Sequence, residues 1–308
     1  MTKMMVERER SCPVCGSREY SPFADERINE DKLGEYSYAS RKLPEFMCLR
    51  LVRCEACELV YAPTTPETKV LQAEYEGASF DSQSEAILAA QTYAQALEPF
   101  LTKLPRKPDA VDVGAGSGPL LPLLERAGFD RAIGIEPSLA AIEAAPAQVR
   151  AMLREGMFSP QIVEDLEPTL VCSFMTLEHI DNPGVFVQQA WDLLEPGGMI
   201  AVVVHDWQAS LNRILGMKSP IIDVEHLQLF SRPALRRLFE GAGFEQVEIQ
   251  SLRNTYPLRY WLRLAPFPNA MKNAMISALH AIRCADVKIS VNVGNMLAVG
   301  YKPRESAP

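Results

Sequence analysis

Between residues 110 and 252 the chain alternates short, mainly apolar runs with longer amphipathic ones. Ala110–Val113, Leu170–Phe174 and Met199–His205 carry no polar alternation, so they predict strands buried on both faces. Residues 131–137 and Glu245–Leu252 predict two more. Between them, leucine- and valine-bearing stretches predict helices opening at Pro119 and spanning Val185–Leu194 and Pro233–Gly241. Pro196-Gly-Gly breaks the chain before the strand at 199. Upstream, alanine and leucine on one face predict a helix over Ser82–Leu101, preceded by another over Thr68–Tyr75, with Arg106-Lys107-Pro108 marking the entry to the first strand. Strands alternating with helices define an α/β fold with a mostly parallel sheet covered on both sides. Beyond 252 the pattern changes. Tyr256–Ile282 is rich in leucine, alanine, methionine and aromatic residues and is interrupted by Pro266 and Pro268, which predicts a helical insertion; Asn295–Lys302 predicts a closing strand.

The first strand runs into Gly114-Ala-Gly116-Ser-Gly118, three glycines at alternate positions, and then into a helix. Glycine allows the turn to take positive φ and lets a ligand lie against bare backbone. The helix start offers unpaired N–H groups to an electron-rich partner. In a dinucleotide fingerprint the third glycine would stand at 119, where this chain has proline. Asp112 sits in the strand just before the first glycine. Glu136 ends the second strand, 24 residues after Asp112. A carboxylate there can accept hydrogen bonds from two ribose hydroxyls.

Asp112-x-Gly114-x-Gly116-x-Gly118 resembles motif I of the class I S-adenosylmethionine (SAM) methyltransferases. The run Leu193-Leu-Glu-Pro-Gly-Gly resembles a second landmark of that family. The resemblance implies a Rossmann-like methyltransferase sheet whose closing strand is antiparallel, with Asp112, the three glycines and Glu136 binding SAM. Gly156-Met157-Phe158 falls where the family often holds the adenine, so Met157 and Phe158 are candidates for that contact or for the core.

The seven cysteines contain two Cys-x-x-Cys pairs, Cys12/Cys15 and Cys54/Cys57. Four thiolates with no open position describe a structural zinc site. The 38 residues between Cys15 and Cys54 exceed the common ribbon spacing, and Cys48 is a rival ligand. No thioredoxin-like pattern surrounds either pair, which argues against a redox dithiol. Cys172 and Cys284 stand in apolar contexts that predict core positions. The expected organisation is a zinc module at 1–66, a helical linker or lid at 67–105, and a SAM-binding domain at 106–302 that carries the helical insertion at 256–283.

Net charge changes the range of partners. At −8, with no basic run and no interleaved aromatics, the chain gives electrostatics little to offer a nucleic acid. No apolar segment reaches signal or transmembrane character, which predicts a cytoplasmic protein. The charges within Tyr256–Ile282 are basic, so the insertion is read as a lid, an oligomer surface or a shallow membrane contact.

Three of the four histidines, His179, His205 and His226, fall at predicted strand ends, where open α/β sheets gather ligands. Each is either a structural hydrogen-bonding group or a base. The four-cysteine module, Tyr75, Glu178-His179 and Glu225-His226 before Leu-Phe-Ser resemble the sugar C-methyltransferases of deoxysugar pathways over roughly residues 10–250. That resemblance implies a keto-sugar surrounded by His179, Glu225, His226 and Tyr75. Two departures stand out: Asp223 replaces the family's cluster tyrosine, and these 308 residues hold no counterpart of its large C-terminal domain. The expectation is therefore methyl transfer to a small polar acceptor of sugar type, on carbon or on a hydroxyl. An RNA methyltransferase and a non-catalytic SAM- or zinc-binding interaction protein are the alternatives.

Overall fold

The computed structural model describes residues 7–29, 46–66, 83–265 and 267–304, together with residues 73 and 76. Of the expected helix at 68–75 only Ala73, which is helical, is described; the rest, Tyr75 included, lies outside the described residues. A seven-stranded sheet forms the centre. Its strands are β6 (Asp109–Val113), β7 (Arg131–Glu136), β8 (Leu153–Glu155), β9 (Pro168–Phe174), β10 (Met199–His205), β12 (Glu245–Pro257) and β13 (Lys288–Tyr301), in the spatial order β12-β13-β10-β9-β6-β7-β8. β6 through β10 pair in parallel, and β13 runs antiparallel to both β10 and β12. The parallel strands β9 and β10 are buried along almost their whole length, as their predominantly apolar sequences require.

Helices cover both faces. On one, α1 (Gln83–Leu101) and α2 (Leu121–Arg126) bring Leu97, Phe100, Leu121 and Leu124 against Ala110, Leu170 and Val203. On the other, α5 (Pro183–Leu193) and α7 (Arg232–Gly241) bring Phe186, Val187, Leu235 and Phe239 against Val111, Val171 and Val202. The Asn182 side chain accepts from the Val185 N–H at the start of α5, and Ser231 accepts from Ala234 at the start of α7. Each cap satisfies an end-of-helix donor, with a proline in the first turn. Short helices α3 (Leu139–Ala144) and α4 (Ala147–Arg150) link β7 to β8, and α6 (Ser210–Leu215) follows β10.

The cysteine-bearing segment contributes β1 (Glu7–Glu9), β2 (Tyr20–Ala24), β3 (Leu51–Cys54), β4 (Val60–Tyr61) and β5 (Thr64–Pro66). β1 pairs with β5. β2, β3 and β4 form a second sheet completed by β11 (Gln228–Leu229), a strand from far along the chain. Arg10 reinforces this junction. Its guanidinium donates to the carbonyls of Ala62, Asp181 and Leu227, and burial pulls its pKa down to about 10. Cys12, Val52, Cys54 and Tyr61 belong to the same apolar cluster as the sheet and helices α5 and α7.

The C-terminal region differs from expectation in three ways. β12 continues to Pro257 and β13 begins at Lys288, so Tyr256, predicted helical, is a strand residue. The two strands extend past the body of the sheet as a paired ribbon, with Asn254 opposite Val291 and Pro257 opposite Lys288. Helices α8 (Leu258–Leu264) and α9 (Asn269–Ala281) fill the connection. Cys284, predicted to be a core residue, is only partly buried at the end of this insertion, where its thiol donates to the Ile282 carbonyl. Among the described residues no helix is long and apolar enough to cross a membrane.

Candidate active site

β6 delivers the chain into the glycine turn. Gly114 and Ala115 both donate to the Ile135 carbonyl, at 2.9 and 3.2 Å, which folds the turn over the end of β7. Gly114 has φ +77°, and a Cβ there would lie 2.3 Å from Thr176 Oγ1, so the turn closes only with glycine. At Gly118 a Cβ would come 2.7 Å from Val149 Cγ1, against the chain that leads into β8. Glu136, at the end of β7, accepts from the Gly116 N–H at 2.7 Å and from the Ser138 N–H at 2.8 Å. The carboxylate is 8% exposed, and burial raises its pKa. Each of its oxygens retains further acceptor capacity for a hydroxyl. Asp112 is more deeply set. Burial lifts its carboxyl to about 7, partly countered by the Cys172 thiol, which donates to it at 3.5 Å.

These residues line one end of a cleft of about 900 Å³, a volume in the range of ordinary ligand sites. Asp112, Gly114, Gly116 and Glu136 face it together with Met157 and Phe158. Met157 is substantially exposed, whereas Phe158 packs edge-on against Phe186 with ring centroids 5.4 Å apart. Gly118 lies behind the turn and is not part of the wall. A bare-backbone turn, a half-satisfied buried carboxylate and an open cleft beside them suit a nucleoside-bearing cofactor with ribose hydroxyls.

The other end of the cleft is built around Glu178, which is fully buried on the loop after β9. Its Oε1 accepts from the His205 backbone N–H at 2.7 Å and from His205 Nδ1 at 3.0 Å, while Oε2 has no hydrogen-bond partner. Burial would raise this carboxyl, but the His205 hydrogen bond and the surrounding imidazoles outweigh it and hold the pKa at about 2. His205, His226 and His179 form a continuous group. The His226 ring centroid lies 5.4 Å from that of His205 and 4.9 Å from that of His179. His226 Nδ1 donates to the Ile221 carbonyl at 2.8 Å, which leaves Nε2 as the basic nitrogen of the neutral ring. His179 Nδ1 lies 3.2 Å from the Glu225 carbonyl and 3.8 Å from its carboxylate. Burial lowers the pKa of both His179 and His226. All three histidines, Asp223 and Glu225 line the cleft.

Three features of this end were not singled out in the sequence. The Glu178–His205 pair leaves no local sequence signal, because the two residues are separated by a helix and meet only when β9 and β10 lie side by side. Asn295 donates to Asn254 at 3.1 Å across β13 and β12, and both face the cleft. Tyr256, Tyr260 and Trp261 cluster at its rim, with Tyr256 and Tyr260 centroids 4.4 Å apart.

Elsewhere, Cys12, Cys15, Cys54 and Cys57 converge, with every sulfur within 4.8 Å of the others and the Cys12–Cys57 and Cys15–Cys54 pairs at 3.5 Å. Tetrahedral zinc with Zn–S near 2.3 Å would separate thiolates by about 3.8 Å, so the four positions suit that ion. Cys48 is outside the group, and its thiol points to the Asp25 carbonyl. Cys172 is buried beside Asp112.

A parallel sheet closed by an antiparallel strand, with a glycine turn and acidic strand end at its carboxyl edge, defines a SAM-dependent methyltransferase. Residues 86–249 match the family described as a methyltransferase domain, and the chain belongs to that family. No sequence among curated proteins matches it. Solved structures are similar in fold at low identity. A SAM-dependent methyltransferase from Archaeoglobus fulgidus is 14% identical with TM-score 0.47, covering 77% of this chain and 100% of that one. A Thermotoga maritima SAM-dependent methyltransferase is 19% identical with TM-score 0.44, covering 69% of this chain and 89% of the other. Phosphoethanolamine N-methyltransferase 2 of Haemonchus contortus, solved with SAM, is 15% identical with TM-score 0.43, covering 69% and 52%.

Proposed function

We propose that the acceptor is a small polar molecule of sugar type and that His226 is the base for its reacting proton. The observation that carries this is the anchoring of the His226 ring. Nδ1 is committed to Ile221, burial keeps the ring neutral, and the basic Nε2 belongs to a side chain that lines the cleft. Asp223, Glu225, His179, His205, Asn254 and Asn295 surround the same end of the cleft, a set of donors and acceptors suited to hydroxyl and carbonyl groups. SAM supplies the methyl group from an activated sulfonium, so the protein's own tasks are alignment and proton removal. In this reading Asp112, Gly114, Gly116 and Glu136 hold the cofactor, Gly118 closes the turn behind them, and Met157 and Phe158 lie near its base. His226 takes the proton from the acceptor atom, and His179 and Glu225 orient that acceptor. Zinc held by Cys12, Cys15, Cys54 and Cys57 has a structural role, because a closed set of four ligands leaves no position for substrate.

The reading is tested by methyl-transfer assays with labelled SAM against nucleotide-sugars, glycolipid sugars and RNA. Incorporation into a sugar-type acceptor that is lost in His226→Ala supports it. Salt-dependent methylation of RNA, with none of any sugar, would replace it with the nucleic-acid alternative.

A further inference from the structure

Six large apolar side chains stand exposed within the short stretch from Phe267 to Ile289: Phe267, Met271, Met275, Ile282, Val287 and Ile289. α9 contains no buried residue at all. At 3.6 residues per turn, Met271, Met275, Ala278 and Ile282 lie in one stripe along it, at i, i+4, i+7 and i+11. The side of α9 that packs against the protein is a different one, carried by the partly buried Lys272, Ile276 and Leu279. Asn269, Asn273, Ser277 and His280 occupy the face opposite the methionines. The helix is therefore amphipathic toward the outside, with an apolar stripe that no element of the described residues covers.

The charges around the stripe have one sign. From 253 to 288 the chain carries Arg253, Arg259, Arg263, Lys272, Arg283 and Lys288 against a single acid, Asp286, while the whole chain has net charge −8. Asp286 is paired with Arg259 at 2.8 Å. A basic rim around exposed methionine, phenylalanine and isoleucine, on an otherwise acidic protein, is complementary to an anionic lipid surface. A second copy of this acidic chain would be a poorer electrostatic match. The neighbouring helix adds a third observation. Tyr260, Trp261, Leu264 and Ala265 of the α8 region, with Val291 and Val293 of the ribbon, form an apolar part of the cleft wall. α9, which carries the stripe, packs on α8, which borders the ligand cleft.

We propose that α8, α9 and the tip of the β12–β13 ribbon seat the protein on an anionic membrane surface, with the Met271–Met275–Ile282 stripe lying among the lipids. The seating is peripheral, in the plane of the interface, and brings the apolar wall of the cleft to the membrane. It holds for any acceptor and does not depend on the sugar reading.

The test is flotation of the full-length protein with phosphatidylcholine vesicles and with vesicles enriched in phosphatidylglycerol. The expected result is co-flotation with the anionic vesicles, weakened by salt, with little on phosphatidylcholine alone. Arg283→Glu with Lys288→Glu should lower partitioning on the order of fivefold or more for each charge. Met271→Glu with Met275→Glu should abolish it, while SAM affinity and the circular dichroism spectrum stay unchanged. Failure of the wild type to float, or flotation of both double variants undiminished from the wild type, would overturn the proposal. So would a dimer in sedimentation equilibrium that the methionine substitutions dissociate, because the stripe would then belong to a second copy.

Discussion

Glu178 receives both the backbone N–H and the ring Nδ1 of His205, at 2.7 and 3.0 Å, from a position with no solvent exposure. One carboxylate thereby ties the end of β10 to the loop after β9 and selects the His205 tautomer whose Nε2 is basic. Glu178→Gln keeps the volume but can turn an amide donor toward the imidazole. The expected result is a fall in kcat on the order of 10–100-fold with SAM affinity retained. Equal losses in kcat and SAM binding would make Glu178 a packing residue of the whole cleft.

His226 gives the corresponding prediction for proton removal. His226→Ala should lower turnover on the order of 10²–10⁴-fold and leave the SAM Kd near wild type, as expected for loss of a base. Burial lowers the His226 pKa, so its basic form persists below the ordinary histidine range. The acid limb of the kcat profile is therefore expected below about pH 6.5. A limb above that value would point to a different group.

Asp112, a buried carboxyl on the cleft wall, carries a stability prediction. Its pKa is raised from 3.8 to about 7, chiefly by burial. The folded state thus favours the protonated acid, and this contribution to stability is full below pH 3.8 and lost as pH rises through 7. In the apoprotein Asp112→Asn should raise stability at pH 8 by on the order of 2–4 kcal/mol and change it little at pH 3.5. Denaturant melts at the two pH values check this, and a gain independent of pH would contradict it.

The cysteine cluster is expected to act on the distant site as well as on its own segment. β11 pairs with β4, and the chain reaches β11 directly from Glu225 and His226. Cys54→Ser should release zinc, lower Tm and reduce turnover together, as read by elemental analysis, calorimetry and assay. Full metal content in the variant would refute the four-cysteine ligand set. Loss of zinc with unchanged turnover would uncouple the two sheets.

The parts of this architecture that were legible in the sequence are those whose signal is local. β10 coincides with the apolar run Met199–His205, and β7 ends at Glu136 because the run ends there. The glycine turn announced itself through spacing that only backbone closure explains. Long-range pairings left little trace. β11 is two residues long and exists because β4 offers it an edge, so no periodicity could reveal it. Asn254 and Thr255 do not read as strand in isolation, yet they are strand because β13 extends alongside them. The two Cys-x-x-Cys pairs are legible as a local motif, and the antiparallel pairing of β2 with β3, which sets Tyr20 opposite Cys54, brings them together across the long separation. Glu178 was visible as part of a phrase, but its partnership with His205 arises only from adjacent parallel strands.

The measurement closest to the central claim is calorimetric titration of SAM into the metal-replete protein and into Glu136→Ala. One-site binding to the wild type, weakened at least tenfold by the substitution, is the predicted result, since the carboxylate would lose charge-assisted hydrogen bonds to the ribose. Tight binding that Glu136→Ala leaves unchanged would contradict the placement of the cofactor between the glycine turn and the end of β7.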